Sequence, residues 1–294
     1  MMSEHPLFSV LVANYNNGRY LREALDSVRQ QTYTNWQVVI VDDGSTDESH
    51  DIYKELTSDP CFKVVLNDQN MGCTFTKKRC LDAADGALCG FLDADDQLLP
   101  EALEKMVAVH AQNENASVVT SKFYYCDAQM NITGESKPIV PSEGESYLTH
   151  ADFRPAPFIS FKKAKYDLTQ GLNPSNRIGD DQELLLLLEE VGDYMVLDEF
   201  TYKYRQQPNS MIHQRSDECA YWNAHVFHEA CLRRGIDPEI AVDFYLNYLK
   251  SVREEAAWGA EASTSRKIHA SKAYRLGKAL LSPLSWLKGK KQWG

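Results

Sequence analysis

The chain has 294 residues, 43% hydrophobic and 25% charged, with a formal net charge of −11. An acidic balance of that size excludes a nucleic-acid backbone as partner, and the length allows one large α/β domain or a smaller one with an appendage. Seven cysteines, an odd number without a C-x-x-C pair, argue against a disulfide framework or a structural zinc site and fit a reducing cytoplasm. The N-terminus lacks the basic and apolar regions of a signal peptide, and no apolar run is long enough to span a bilayer.

Phe8 to Ala13 is an apolar, β-rich run, closed by the turn cluster Asn14-Tyr15-Asn16-Asn17-Gly18. Arg19 to Gln31 carries apolar residues at Tyr20, Leu21, Ala24, Leu25 and Val28, a helical spacing. Trp36 to Val41 reads as a second strand and ends in Asp42-Asp43-Gly44-Ser45-Thr46-Asp47. A helix over 48–56, a strand over 62–66, a loop over 67–72 and a helix over 74–84 follow. Ala87 to Leu92 is a fourth strand, ending in Asp93-Ala94-Asp95-Asp96. A helix over 99–112 and a strand over 116–125 complete the alternation, which implies a mainly parallel sheet with helices on both faces. Residues 127–160, with Pro138, Pro141, Pro155 and Pro157, read as loops and short strands. Asp181 to Val191 is a buried helix with leucine at 184–188. Phe200 to Arg205 is a short strand, and from Asp217 to about Leu281 the pattern is helical, with a break at 235–238.

Ligands of open parallel sheets bind outside the carboxyl ends of the strands, and two strands here end in acids. Converging carboxylates repel unless a cation or hydrogen-bond donors lie between them. Hard divalent ions suit such oxygens and take their remaining ligands from water and phosphates. Read alone, the same acids also fit turn residues and helix caps, and Asp47 reads as a cap. A response-regulator phosphoacceptor pocket is a third possibility, but its acids follow the first strand of a far shorter chain.

The motifs VDDGSTD (41–47) and FLDADD (91–96), in this order and spacing, together with NYNNG (14–18), NMG (70–72), IGDDQELLLLLEEVG (178–192) and YRQQPNSM (204–211), resemble the family 2 glycosyltransferases over residues 7–211. The resemblance implies a GT-A fold, a Rossmann-like, mainly parallel sheet flanked by helices. The expected organisation is a glycosyltransferase domain over 1–215, its nucleotide-sugar half at 1–125 and its acceptor half at 126–215, followed by a helical extension at 216–294.

By that resemblance Ala13, Asn14 and Tyr15 line the nucleotide base, and Asp43, with Asp42 beside it, accepts the uracil N3 proton. Asn70 and Gly72 lead into a helix whose Lys77 replaces the family's usual arginine near the diphosphate or sugar, a point charge in place of a fork. Asp93-Ala94-Asp95 matches the DxD motif. Asp95 is the expected ligand of Mn²⁺ or Mg²⁺, Asp93 contacts the ribose or the metal shell, and Asp96 supports them or caps a helix. Asp181, second of an acidic pair, is the expected base; as a bare residue it also fits a helix terminus. Gln207 stands where the family has histidine, with His213 nearby as a further metal or phosphate contact.

The implied activity is inverting transfer of a sugar from a UDP-sugar to a hydroxyl of a surface glycan, lipid-linked or not, by a metal-dependent hexosyltransferase. The polymerising Gln-x-x-Arg-Trp motif is absent, which favours single addition. A nucleotidyltransferase would need a Gly-rich basic loop after the first strand, which residues 14–18 do not supply. A non-catalytic sugar-nucleotide-binding protein has no need of Asp95 and Asp181 together. After Glu261 there is no acid, while eight basic residues between Arg266 and Lys291 are interleaved with Leu280, Leu281, Leu284, Trp286, Leu287 and Trp293. Such a tail suits an anionic membrane, so the expected location is cytoplasmic and peripheral at the inner face of the cell membrane.

Overall fold

The computed structural model describes residues 5–137, 146–148, 156–207 and 215–239. These form a nine-stranded sheet. Its strands are β1 (Phe8–Asn14), β2 (Trp36–Asp42), β3 (Phe62–Leu66), β4 (Leu88–Phe91), β5 (Gln97–Leu98), β6 (Ala116–Cys126), β7 (Ile132–Glu135), β8 (Ser160–Lys162) and β9 (Asp193–Arg205). The order is β3-β2-β1-β4-β8-β6-β9-β5, with β7 paired to β6. The half from β3 to β4 is parallel, while β8 runs antiparallel to both β4 and β6, so the sheet is mixed. Parallel register sets Asn14 opposite Asp42 and Leu11 opposite Phe91. The ends of β1, β2 and β4 therefore share one edge.

The helices are α1 (Gly18–Arg29), α2 (Ser49–Leu56), α3 (Cys73–Ala83), α4 (Ala102–Gln112), α5 (Lys163–Tyr166), α6 (Asp180–Glu189) and α7 (Ser216–Arg234). Strand side chains alternate between faces. Val10, Val12, Val38 and Ile40 pack with Leu21, Leu25, Ile52 and Met106 of α1, α2 and α4. Leu11, Val39 and Val41 pack on the other face with Cys80, Leu81, the five leucines of α6, and Val226, Phe227, Ala230 and Cys231 of α7. A leucine-only stretch in α6 is thus buried on nearly all sides, between α3, the sheet and α7.

One reading is corrected. The short strand at 200–205 is the end of β9, which starts at Asp193, directly after α6. Asp198 and Glu199 interrupt its apolar pattern because they point outward, paired with Lys122 and Lys105. Within 127–160, β7 and β8 are formed, and Ser160, Phe161 and Lys162 of β8 are buried. Asp47 accepts hydrogen bonds from Ser49 N at 3.1 Å and Gly18 N at 2.8 Å, so one carboxylate serves the first turns of both α1 and α2.

The expected extension at 216–294 begins with α7, whose inner face lies in the core just described. The tail after 239 lies outside the described residues. Phe227→Ala should cost about 3–5 kcal/mol, the usual range for a buried Phe, in a single denaturation transition. An unchanged midpoint would detach α7 from that core.

Candidate active site

The site assembles at the shared strand edge in three groups. The first is at the ends of β1 and β2. Asn14 is buried, and its Nδ2 lies 2.7 Å from Tyr53 OH, 2.9 Å from Ser49 Oγ and 3.2 Å from Asp42 Oδ2. Tyr53 OH donates to Asp42 Oδ2 at 2.7 Å, and Ser45 N to Asp42 Oδ1 at 2.8 Å. Burial alone would raise Asp42; the hydrogen bonds from Ser45, Tyr53 and Asn14 outweigh it and hold the carboxyl below its usual range. Asn14 and Asp42 therefore face inward, joined by a hydrogen bond, with the Asn14 Oδ1 buried and without a hydrogen-bond partner among the described residues, and Tyr15 beside them is exposed.

Asp43 is spent differently. Its Oδ1 accepts from Asn67 Nδ2 at 2.7 Å and Met71 N at 2.8 Å, and its Oδ2 from Gly72 N at 2.9 Å. The 67–72 loop is thus wrapped around one carboxylate. Gly44, at φ +77°, allows the approach, since a Cβ there would stand 2.8 Å from the Gln69 carbonyl carbon. Arg79 donates to Asn67 Oδ1 and holds that amide toward Asp43. Ala13 is half-buried under the same edge, and Asn70 is exposed on the loop.

The second group joins α3, α6 and the end of β4. Lys77 Nζ lies 2.5 Å from Asp180 Oδ2 and 2.5 Å from Asp181 Oδ1, over the Phe91 ring. The contact to Asp181 is a hydrogen bond; the one to Asp180 is an ion pair outside hydrogen-bond alignment. Side-chain exposure separates the three, 7% for Lys77 and Asp180 but 45% for Asp181. Burial pulls the Lys77 ammonium down, but the two carboxylates outweigh it and keep it well above its usual range. Burial works to raise Asp180, and the adjacent ammonium keeps it low. Asp181 is pushed up to about 7 by desolvation and by the charges of Asp180 and Asp93, against the pull of Lys77. Burial also raises Asp93, opposed by Lys77 and reinforced by Asp180. Neither Asp180 nor Asp181 is the N-cap. That position is Gly179, left-handed at φ +91°, where a Cβ would meet Asn223 Oδ1 of α7 at 3.0 Å.

The third group surrounds Asp95 and Asp96. Asp96 caps no helix. It accepts from Tyr202 OH at 2.8 Å and Arg205 N at 2.7 Å, which pins the end of β9 to the acidic turn. The Arg205 guanidinium is buried and donates to Asp95 O and Ala128 O, each at 2.6 Å, and to Glu23 Oε2 at 2.7 Å. Gln207 donates to Asp95 Oδ2 and accepts from Arg19 at 2.9 Å. Burial and the nearby Asp93 push Asp95 up to about 6.

Asp93 and Asp95 are thus two half-buried carboxylates held above the usual range by burial, Asp95 also by the charge of Asp93, the state a bound cation would relieve. The donor set is oxygen only. Among the described residues no cluster of three His, Cys, Asp or Glu side chains is placed to hold a metal. These residues fit a hard divalent ion that draws most of its ligands from water or a bound phosphate. His213 lies outside the described residues.

Sequence reading pointed to Asp43, Lys77, Asp93, Asp95 and Asp181. It missed Asp180 as the buried partner of Lys77, Asn67 as a holder of Asp43, and Arg205 as the rivet beneath Asp95. The motif at 204–211 includes Arg205 but does not reveal this role, because its partners lie in α1, the acidic turn and the 126–131 turn, far away in the chain.

Residues 9–167 match the family described as glycosyl transferase family 2. Glycosyltransferase GlyG of Streptococcus pneumoniae is 26% identical over 271 residues, 86% of this chain and 89% of GlyG. An uncharacterized glycosyltransferase of Methanocaldococcus jannaschii is 28% identical over 212 residues, 69% of this chain and 71% of that one. With EpsH of Bacillus subtilis the likeness reaches 40% over 105 residues, 35% of this chain but 30% of EpsH, so the chain spans under a third of that relative. The fold is shared with Staphylococcus aureus TarS 1–349 in complex with UDP-GlcNAc, at TM-score 0.63 and 19% identity over 83% of this chain and 72% of TarS 1–349. It is shared too with a Pyrobaculum calidifontis mannosyltransferase in complex with GDP-Man and Mn²⁺, at TM-score 0.59 and 17% identity over 99% of this chain and 88% of the other.

The Asp43 clamp is testable without any ligand. Asp43→Asn keeps the shape but turns one acceptor oxygen into a donor facing an N–H. A hydrogen bond to a charged group contributes about 1.5–3 kcal/mol, and that loss is expected in urea denaturation of the ligand-free protein. Unchanged stability would show that the loop does not depend on the carboxylate.

Proposed function

Because the chain belongs to glycosyl transferase family 2, we propose that it is an inverting, metal-dependent hexosyltransferase carrying a single sugar from a UDP-sugar to a hydroxyl of a surface glycan, free or lipid-linked. The observation that carries this is the arrangement of Lys77, Asp180 and Asp181, in which Asp181 alone opens to solvent. A sugar hydroxyl is a poor nucleophile at neutral pH, and a carboxylate within about 3 Å can take its proton as attack on the anomeric carbon proceeds. A carboxyl pushed up to about 7 is a stronger base than an ordinary aspartate and is still about half ionised near neutrality. Asp180 stays ionised as the counter-ion of Lys77 and leaves the proton-accepting role to Asp181.

The choice of nucleotide follows from Asp43. A carboxylate offers about four lone-pair sites. Three are taken, two on Oδ1 and one on Oδ2. One further N–H can be accepted. Uracil presents one at N3, where cytosine presents an acceptor, and guanine presents two side by side that need both oxygens. Uridine nucleotides fit this limit best. Ala13, Asn14, Tyr15, Asp42, Asn70 and Gly72 complete the nucleotide side, with Asp93 and Ala94 toward the sugar.

Asp95, with Asp93 beside it, is the residue we assign to Mn²⁺ or Mg²⁺, and the bound ion supplies positive charge for a departing diphosphate. His213 is a further candidate ligand. Residues 1–125 would hold the donor, 126–215 the acceptor, and 216–294 an accessory extension. No helix of the described residues is long and apolar enough to cross a membrane. The basic tail we assign to the anionic inner face of the cell membrane. The full chain should then co-sediment with anionic vesicles in a salt-sensitive way, and indifference to them at low salt would remove that assignment.

The central test is chemical. UDP should stabilise the protein to heat in the presence of Mn²⁺ more than GDP or CDP does. Turnover of a stabilising UDP-sugar should rise with pH through about 7, because the base must be ionised. Asp181→Asn should bind the donor normally with turnover down at least about a hundredfold, the scale of general-base catalysis. Turnover within a few-fold of the parent would return Asp181 to a helix-terminal role.

A further inference from the structure

The geometry points to Lys77 as a positioning residue for the base rather than a contact to the donor: its ammonium, held on α3, bridges Asp180 and Asp181 at the start of α6 and fixes which of the two carboxylates faces the acceptor. The inference rests on the assignment of Asp181 as base and deepens it.

Four observations carry it. Lys77 Nζ is 2.5 Å from an oxygen of each carboxylate, so its charge is already engaged by the acid pair. The lysine side chain is 7% exposed, leaving little surface to offer a diphosphate. Phe91 closes the far side, its ring centroid 5.2 Å from Nζ. The bridge is also asymmetric in depth, with Asp180 as buried as the lysine and Asp181 open. A lysine reaching for phosphate would be expected to lie extended and solvated; this one is folded into an acid pair, where it holds a fixed position.

The electrostatics follow from that geometry. The groups facing Asp181 are Lys77 and Cys73 of α3, Asp93 at the end of β4, Asp180 on its own helix, and Tyr204 of β9. Lys77 is the one cation among them. Without it, Asp180, Asp181 and Asp93 repel one another unscreened, and Asp181 holds its proton to higher pH. Without Asp180, a like charge disappears and Lys77 pairs with Asp181 alone, so Asp181 gives up its proton at lower pH. The two neighbours pull the base in opposite directions.

The variants are Lys77→Met, Lys77→Arg and Asp180→Asn. The readouts are the carboxyl-carbon NMR titration of Asp181 in the ligand-free, metal-free protein, the acid limb of UDP-sugar hydrolysis with Mn²⁺, and calorimetric affinity for UDP. In Lys77→Met the titration and the acid limb should both move up by about one unit or more, a shift within the range of a lost neighbouring charge, while UDP affinity stays within a few-fold. Asp180→Asn should move both downward, and Lys77→Arg should leave them near the parent. Should Lys77→Met not fold, Lys77→Met/Asp180→Asn removes both partners and leaves no uncompensated buried charge on that side. Asp181 should titrate in the double variant between the parent and an ordinary aspartate. UDP affinity lost tenfold or more in Lys77→Met with the titration unmoved would overturn the proposal, as would shifts of the same sign in Lys77→Met and Asp180→Asn. An active Asp181→Asn would sink the base assignment instead, and the titration of Asp181 would still report on the bridge.

Discussion

Seven carboxylates crowd the carboxyl edge of this sheet, and the cost of confining them decides how the surrounding residues are used. Four of them are met by specific partners. Asp42 has a tyrosine, an asparagine and a backbone amide, and Asp43 has three N–H groups of one loop. Asp96 has Tyr202 and the Arg205 backbone, and Asp180 has Lys77. An unpartnered buried charge is strongly destabilising, whereas a hydrogen-bonded one is tolerated. Asp93 and Asp95 lack such full provision. Burial keeps both above the usual carboxylate range, with Asp180 adding to the effect on Asp93 and Asp93 to that on Asp95. The fold supplies anionic oxygen there without neutralising it, which is the property required for an incoming cation.

The same economy explains why β9 is long. It begins beside α6, runs parallel to β6, and ends where Tyr202 and Arg205 meet the acidic turn. Arg205 then reaches Glu23 of α1 and stacks 4.3 Å above the Tyr20 ring. One arginine thus ties the first helix, the turn at Ala128 and the Asp95 carbonyl into a single rigid floor. Precision at a site comes from such support beneath the reacting groups more than from those groups themselves.

Much of this was legible in the sequence, and for identifiable reasons. Two-sided burial makes β1, β2 and β4 continuous apolar runs, and helical spacing marks α1 with its buried Leu21, Ala24, Leu25 and Val28. Acids directly after such runs stand out because a core strand gives no other reason for them. What stayed hidden is pairing between distant segments. Asp198 and Glu199 broke the apolar pattern of β9 because their partners Lys122 and Lys105 lie on other elements. Lys77 read as a residue facing a ligand, since nothing within a few positions reveals two carboxylates more than a hundred residues away. Composition and periodicity describe a segment's own surroundings; the partners of a buried charge are set by the closure of the whole chain.

Helix α3 has a place in this scheme that its modest length conceals. The loop that delivers it is gathered around Asp43, and Lys77 lies five residues beyond Gly72. At about 1.5 Å per residue that separation is only about 7–8 Å along the axis. One short helix therefore carries the loop proposed to hold the nucleotide at its start and, about a turn further on, the counter-ion of the proposed base. On that proposal, donor choice and reactivity rest on a shared mechanical part. An engineer, or natural drift, that re-cuts the nucleotide pocket by reshaping the 67–72 loop will also move the ammonium that sets the base, so new donor preferences in this scaffold should arrive together with altered pH behaviour rather than as a free exchange of one sugar nucleotide for another.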